Sequence, residues 1–217
     1  MSLKLYYDPV SSPCRAVLAL LHLAKIPYEK VIVSVFKGET KNPDYQKINP
    51  LGKVPALDDN GYIVFEHEAI LRYLVNTHKE AQAYFPTDIK TQALIDQYYP
   101  FHHYSIRRYT IQYFAGLNGM IPNFDKEAGL KEVEAAVSKL DSVFLQDKKY
   151  LTGDKITIAD FSAVSEISQL YYATDFDFNK FPRVKAYIER YFDNQVIKEA
   201  NQGLLDFAEK VAGNGKK

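Results

Sequence analysis

A second cysteine is missing from this 217-residue chain. Cys14 stands alone, which excludes an intramolecular disulfide and any metal site built from cysteines. A reducing compartment follows as the expectation, with the cytoplasm first. Net charge is missing as well, since 27 Lys and Arg balance 27 Asp and Glu. Nothing global draws the protein toward nucleic acid or an anionic membrane surface. The start, MSLKLYYDP, lacks the apolar core and cleavage pattern of a secretory signal. The longest apolar run, residues 16–24, is too short to span a bilayer and contains His22. Tryptophan is absent, while 17 Tyr and 13 Phe are present, the tyrosines densest at 98–113. Such tyrosines pack cores and interfaces, having an apolar body and a polar tip. No internal repeat or low-complexity tract stands out. Hydrophobic residues make up 47% of the chain, enough for a sizeable core in one large or two small domains.

The first eighty residues alternate short strands and helices. LKLYY reads as a strand, punctuated by Asp8-Pro9. From 13 to 25, Val17, Leu18, Leu20, Leu21 and Ala24 recur at helical spacing. Pro13 suits the first helical position, which makes Ser12 the expected N-cap. PYEKVIVSV is β-branched and reads as a second strand, so a helix joins the two and the pair should be parallel. Residues 54–57 and 62–65 flank Asp58-Asp59-Asn60-Gly61, a strong hairpin signal. A helix follows, with Ala69, Ile70, Tyr73 and Leu74 on one face. This order describes an α/β, thioredoxin-like domain over 1–79, followed by a linker at 80–88. The remainder, 89–217, reads as all-helical. Pro100 should bend its first long helix. Leu130, Val133, Val137, Leu140 and Phe144 give a second periodic stretch. Thr157 and Asp160 form the acidic variant of a capping box, with Ile156 and Phe161 placed as a hydrophobic staple. The terminal GNGKK should fray.

The chemistry gathers at Ser11-Ser12-Pro13-Cys14, between the end of a parallel strand and a helix N-terminus. Ligands of open α/β sheets bind at that edge. The helix end adds unpaired N–H groups and partial positive charge, which favour an anion such as a thiolate. Thioredoxin-like oxidoreductases carry Cys-x-x-Cys here. This chain has Ser11-x-x-Cys14, so two-cysteine cycling is not available. Cys14, inside the first turn, reads as a buried packing residue. Ser11 precedes the helix and can face a cleft. No base is placed to make it a nucleophile, but its hydroxyl is a good donor. A free thiol has a pKa of about 8.5, and lowering it two units requires roughly 2.7 kcal/mol. A hydrogen bond to a charged group supplies about 1.5–3 kcal/mol and a helix terminus about 0.3–1 more. From spacing alone, though, a loop-capping serine is the better reading of Ser11.

The blocks LKLYYDPVSSPCRAVLALLHLAKIPYE, NPLGKVPAL, FEHEAILRYL and GDKITIADF together resemble a glutathione S-transferase, most like the theta class. The resemblance spans nearly the whole chain. It implies a glutathione-binding first domain, a helical second domain, and conjugation of the glutathione thiolate to small hydrophobic electrophiles, with peroxidase or dehalogenase activity as further possibilities. Glutathione would be a cosubstrate, with no permanently bound cofactor and no metal. A homodimer is implied too, with no membrane or nucleic-acid partner. The alternative is a non-enzymatic binding or scaffold module of the same fold.

The resemblance also assigns residues. Ser11 is the expected catalytic hydroxyl, with Ser12 the runner-up and Tyr6 or Tyr7 kept in view. Val54-Pro55 matches a cis pair whose backbone would meet glutathione's cysteinyl backbone. Lys53 would lie near the glycyl carboxylate. Thr40 stands where a histidine is usual, with Lys41 beside it. Glu66 would meet the γ-glutamyl ammonium, and His67 replaces the usual serine. His103, Ile106, Arg107 and Thr110 recur at i, i+3, i+4 and i+7, so one helix face should present them. His103 and Arg107 on that face, with the adjacent Tyr104, are the expected contacts to the electrophile. Adjacent His102 and His103 face different ways on a helix and cannot form an i, i+4 metal clamp. A third reading makes Cys14 the nucleophile of a thiol transferase.

Overall fold

The computed structural model describes residues 3–214. The first strand, β1 (Leu3–Tyr7), buries Leu3, Leu5 and Tyr7 and leaves Lys4 and Tyr6 half-buried, the period of two that a pleated strand imposes. It runs parallel to β2 (Glu29–Ile32) and antiparallel to β3 (Ala56–Asp59), which pairs with β4 (Tyr62–Phe65). The sheet order is therefore β2-β1-β3-β4. Asn60 and Gly61 both take positive φ between β3 and β4, as a two-residue hairpin turn requires.

Helix α1 (Ser12–Leu23) links β1 to β2. Every residue from Ser12 to Leu21 is buried, so α1 is enclosed on all sides. It packs on α3 (His67–Thr77) within its own half and on α7 (Ile158–Ala173) and α9 (Gln195–Ala200) of the helical half. Ser12 is not the N-cap. Ser11 holds that position, Ser12 is already helical, and no side chain caps the end. The reason is a competing bond, because the Ser12 hydroxyl donates to Glu166 Oε2 at 2.6 Å. The buried face of α3 is His67, Ile70, Leu71, Leu74 and Val75. Ala69, expected on it, is exposed.

A short helix α2 (Pro43–Gln46) follows β2, and 3₁₀ turns occupy Lys79–Tyr84 at the junction of the halves. Helix α4 (Ile89–Phe101) contains Pro100 and runs without a break into π-helical turns at His102–Arg107 and then α5 (Arg108–Leu117). Proline removes one backbone donor, and wider turns with i→i+5 bonding follow it directly. The remaining α-helices among the described residues are α6 (Lys126–Lys139), which runs into π-helical turns at Leu140–Leu145, α8 (Pro182–Phe192) and α10 (Gln202–Asn214). The last three residues of the terminal GNGKK lie outside the described residues, and α10 extends into the first two.

The capping box at α7 is present. Asp160, fully buried, accepts from the Thr157 N–H at 2.7 Å and the Thr157 hydroxyl at 2.9 Å. Its carboxylate also accepts from the Leu151 N–H at 2.9 Å and the Tyr187 hydroxyl at 2.6 Å. One carboxylate thus fixes a helix start, a loop and α8. Asp160→Ala removes the cap and leaves buried donors unmatched, so we expect a loss of roughly 3 kcal/mol of stability. Denaturant unfolding measures it, and a loss under about 1 kcal/mol would show that the cap is dispensable.

Candidate functional site

Asp8 shapes the loop between β1 and α1. Its buried carboxylate accepts from the Val10 N–H at 2.9 Å and the Val35 N–H at 2.8 Å. This brings Ser11, Ser12 and Pro13 to the floor of a cleft of about 550 Å³. One wall is Thr40, Gly52, Lys53 and Val54, and the facing wall is Arg107, Ile111, Phe114 and Met120. The first wall is rigid. Gly52 has φ +59°, and a Cβ there would lie 3.1 Å from the Thr40 carbonyl oxygen, so only glycine fits. The Lys53 carbonyl accepts from the Tyr45 hydroxyl at 2.5 Å and the Asn49 amide at 2.7 Å. Val54-Pro55 is cis. Among the described residues, no hydrogen bond engages the Val54 backbone.

Ser11 is half-buried, lines the cleft and sits at the uncapped N-terminus of α1. Ser12 lines it too, but its only hydrogen is committed to Glu166, and it accepts from Arg107 at 3.1 Å. Cys14 is completely buried. Burial pushes its thiol up to about 12, against the opposing hydrogen bonds from the Ser11 side chain and the Asp8 N–H. It is a neutral thiol at physiological pH and not a nucleophile. Tyr7 is buried, which raises its hydroxyl, and the thiol of Cys14 adds to that. Neither Tyr6 nor Tyr7 lines the cleft.

The π turns change which residues of the long helix face the cleft. Ile106 and Thr110 are fully buried, while Arg107, Ile111 and Phe114 line the wall. The expected face of His103, Ile106, Arg107 and Thr110 assumed 3.6 residues per turn, and a wider turn rotates everything after it. His103 instead lies 2.8 Å from Glu68, and the Tyr104 ring is exposed, its edge against Phe101. Neither reaches the cleft. His67 is buried between α3 and the π turns, its ring beside His102 and His103. Its imidazole is therefore turned away from the cleft, because that position belongs to the inner face of α3. Glu66 is exposed at φ +70°, a conformation that costs a non-glycine residue energy and collects at functional sites. Lys41 is exposed and, like Glu66, lies outside the cleft lining.

Sequence reading missed Glu166. This buried carboxylate accepts from Ser12 at 2.6 Å, Arg107 at 2.6 Å, Thr110 at 2.8 Å and Gln169 at 2.6 Å. Burial alone would raise its carboxyl, but the Arg107 guanidinium and the Ser12 and Thr110 hydroxyls outweigh burial and hold it below the usual range. The signal for it was present, namely a charge in the middle of the apolar helix ITIADFSAVSEISQL, six residues past the Asp160 that the capping box accounts for. Phe207 of α10 lies against both Phe36 and Phe114, ring centroids 6.0 and 5.6 Å away, and closes the apolar end. The result is a cleft with a helix N-terminus and, at its floor, the Ser11 hydroxyl, whose partner within the protein is only the weakly accepting Cys14 sulfur. Cationic Lys53 and Arg107 stand on opposite walls, and apolar rings lie beyond.

Comparison with known proteins agrees with this geometry. The family model for the glutathione S-transferase N-terminal domain matches residues 1–76, and that for the C-terminal domain matches 99–194. The glutathione S-transferases theta-1 of Mus musculus and Bos taurus are 30% and 33% identical, each spanning 94% of this chain and 90% of the relative. The chain belongs to the glutathione S-transferase family. Human glutathione transferase theta-2, solved in complex with glutathione and an unknown ligand, superposes with a TM-score of 0.87 at 30% identity, covering 98% of this chain and 91% of that one. Its sheet half and helical half are those of the glutathione S-transferase fold.

The Glu166–Arg107 pair gives a test of how the cleft is held together. Replacing Arg107 by Met leaves a buried carboxylate without its cation, at a cost of about 2 kcal/mol at pH 7. In the native protein the depressed carboxyl adds stability above its unfolded pKa of about 4.3, and this is lost as pH falls through the lower folded value. Without Arg107, burial is left to raise the carboxyl, so acid relieves the site. The gap between Arg107→Met and the native protein should therefore narrow from pH 7 to pH 4. Denaturant unfolding at both pH values reads it, and a constant gap would contradict the account.

Proposed function

We propose that Ser11 is the hydroxyl that keeps the sulfur of glutathione ionised in this glutathione S-transferase. The enzyme joins that thiolate to a small hydrophobic electrophile. The carrying observation is the different fate of two neighbouring serines. Ser12 gives its hydrogen to Glu166, whereas Ser11 faces the cleft at an uncapped helix end. A thiolate there gains the hydroxyl bond and the partial positive charge of α1 together. The free Val54 backbone supports pairing with the cysteinyl residue of glutathione, next to Pro55. Thr40 and Lys53 suit the glycyl carboxylate, with Lys41 nearby in sequence. Glu66 and the first-turn amides of α3 suit the γ-glutamyl end, the amides taking the role otherwise given to the His67 imidazole.

The facing wall supports an apolar second substrate. Ile111, Phe114, Met120 and Phe36 enclose it, and Arg107 offers positive charge to a leaving anion. The sulfur attacks the electrophilic carbon, a C–S bond forms, and the bond to the leaving group breaks with its electron pair. Catalysis then rests on proximity and on a nucleophile already charged. Displacement of halide uses the same step. Reduction of a peroxide uses the same thiolate on oxygen, with a second glutathione closing the disulfide. We read the protein as a cytoplasmic homodimer with no membrane or nucleic-acid partner. No described helix is long and apolar enough to cross a membrane.

Titrating the bound glutathione thiol by its ultraviolet thiolate absorbance tests the role of Ser11. In Ser11→Ala the bound thiol pKa should rise by roughly 1–2 units, the value of one charge-assisted hydrogen bond. Conjugation at pH 7 should fall about tenfold or more while Ser12→Ala keeps the thiol pKa nearer the native value. An unchanged thiol pKa in Ser11→Ala would overturn the assignment.

A further inference from the structure

The sheet half and the helical half meet at a second cluster of chemistry-bearing side chains, separate from the cleft. His67 and Glu68 open α3, and His102 opens the π turns of the long helix. One ring nitrogen from each histidine and one carboxylate oxygen all lie within 4.8 Å of one another. None of the three lines the cleft. His67 and His102 are 4% and 1% exposed, so their imidazoles are shielded from bulk water. Adjacent His102 and His103 on one helix point different ways and cannot clamp a metal between them. Here the donors come from two elements.

We propose that His67, Glu68 and His102 form a binding site for a divalent transition-metal ion of the zinc class, which ties α3 to the long helix across the domain junction. Two imidazoles and one carboxylate are the donor set that zinc takes when no thiolate is available, and they are too few and too nitrogen-rich for calcium or magnesium. Bonds of about 2.0–2.1 Å in a tetrahedron place donors roughly 3.4 Å apart, so the ion draws the three side chains inward. The uncharged imidazole is the form that binds metal, and burial favours it.

Four further observations fit a metal site. Glu68 Oε1 is buried without an aligned hydrogen-bond donor, although His103 Nε2 is 2.8 Å away. His103 is thus placed as an outer partner of the carboxylate, the arrangement that orients ligating groups elsewhere. The Tyr98 hydroxyl meets His102 Nδ1 at 3.1 Å, which fixes that ring and leaves Nε2 for a second partner. A second hollow of about 400 Å³ borders Glu68, Arg72, Asp96 and Tyr99 and gives the ion a way in.

Tag-free, full-length protein treated with chelator and then dialysed is titrated with Zn²⁺ by calorimetry, without glutathione. The native chain should bind one ion, with a rise in melting temperature, and Co²⁺ in its place should show the visible absorption of four-coordinate cobalt. Glu68→Gln, at the half-exposed edge of the cluster, and His102→Gln should each weaken binding at least about tenfold. Circular dichroism confirms that each variant is folded, and Glu68→Gln decides the matter if His102→Gln is not. Absence of saturable Zn²⁺ binding would overturn the proposal. So would unchanged affinity in Glu68→Gln, which would show that this carboxylate does not hold the ion.

Discussion

One buried helix carries the rest of the structure. α1 is enclosed along its first ten residues, and its side chains are anchored in a helix more than 150 positions later in the chain. Arg15 is wholly buried. Its guanidinium donates to Ser168 Oγ at 2.9 Å, Asn201 Oδ1 at 2.8 Å, the Ser165 carbonyl at 2.6 Å and the Val10 carbonyl at 3.3 Å. An unpaired cation there would cost several kcal/mol. Burial lowers its pKa to about 10, with Glu166 the first of the charges opposing that, so it remains charged at neutral pH. The N-terminus of α1 is therefore held in place by the helical half as firmly as by the sheet it follows. Gly203 at the start of α10 allows the same closeness, since a Cβ there would sit 2.4 Å from Pro9.

The function follows from that placement. A helix end that belonged to the sheet half alone would present its amides to open water. Because α7 holds α1, the end opens into a cleft with one wall from each half. Glu166 then sorts the polar groups. It takes the Ser12 hydroxyl and the Arg107 guanidinium, fixing both, and does not engage Ser11. The same carboxylate thus couples the floor of the sulfur site to the wall that faces the second substrate. The chain's own sulfur is excluded by burial, so the nucleophile has to be brought in.

Much of this was legible in the residues. The first strands announced themselves by short apolar and β-branched runs, the hairpin by Asn60-Gly61, and α7 by Thr157 and Asp160. These are local signals, and the structure bears them out. Three things were not local. Pro100 indicated a disturbance but not its form. Widened turns after it set Ile111 and Phe114 on the cleft wall beside the expected Arg107 and left His103 and Tyr104 outside it. Ser12 looked like a cap because caps are judged from neighbours in sequence, while its true partner is 154 residues distant. His67 looked like a ligand contact because its place at the start of α3 matched one. Its ring is instead committed to the junction, where two other histidines arrive from a helix that no local pattern could bring near. The resemblance to glutathione S-transferases located the cleft. It did not reveal the carboxylate that organises it.

The most direct measurement is a crystal structure of the protein with glutathione bound. The account predicts the glutathione sulfur within hydrogen-bonding distance of Ser11 Oγ, in front of the first turn of α1, with the Ser12 hydroxyl still on Glu166. A sulfur that rests instead on Ser12, Tyr7 or Arg107, or lies away from the helix end, would contradict it.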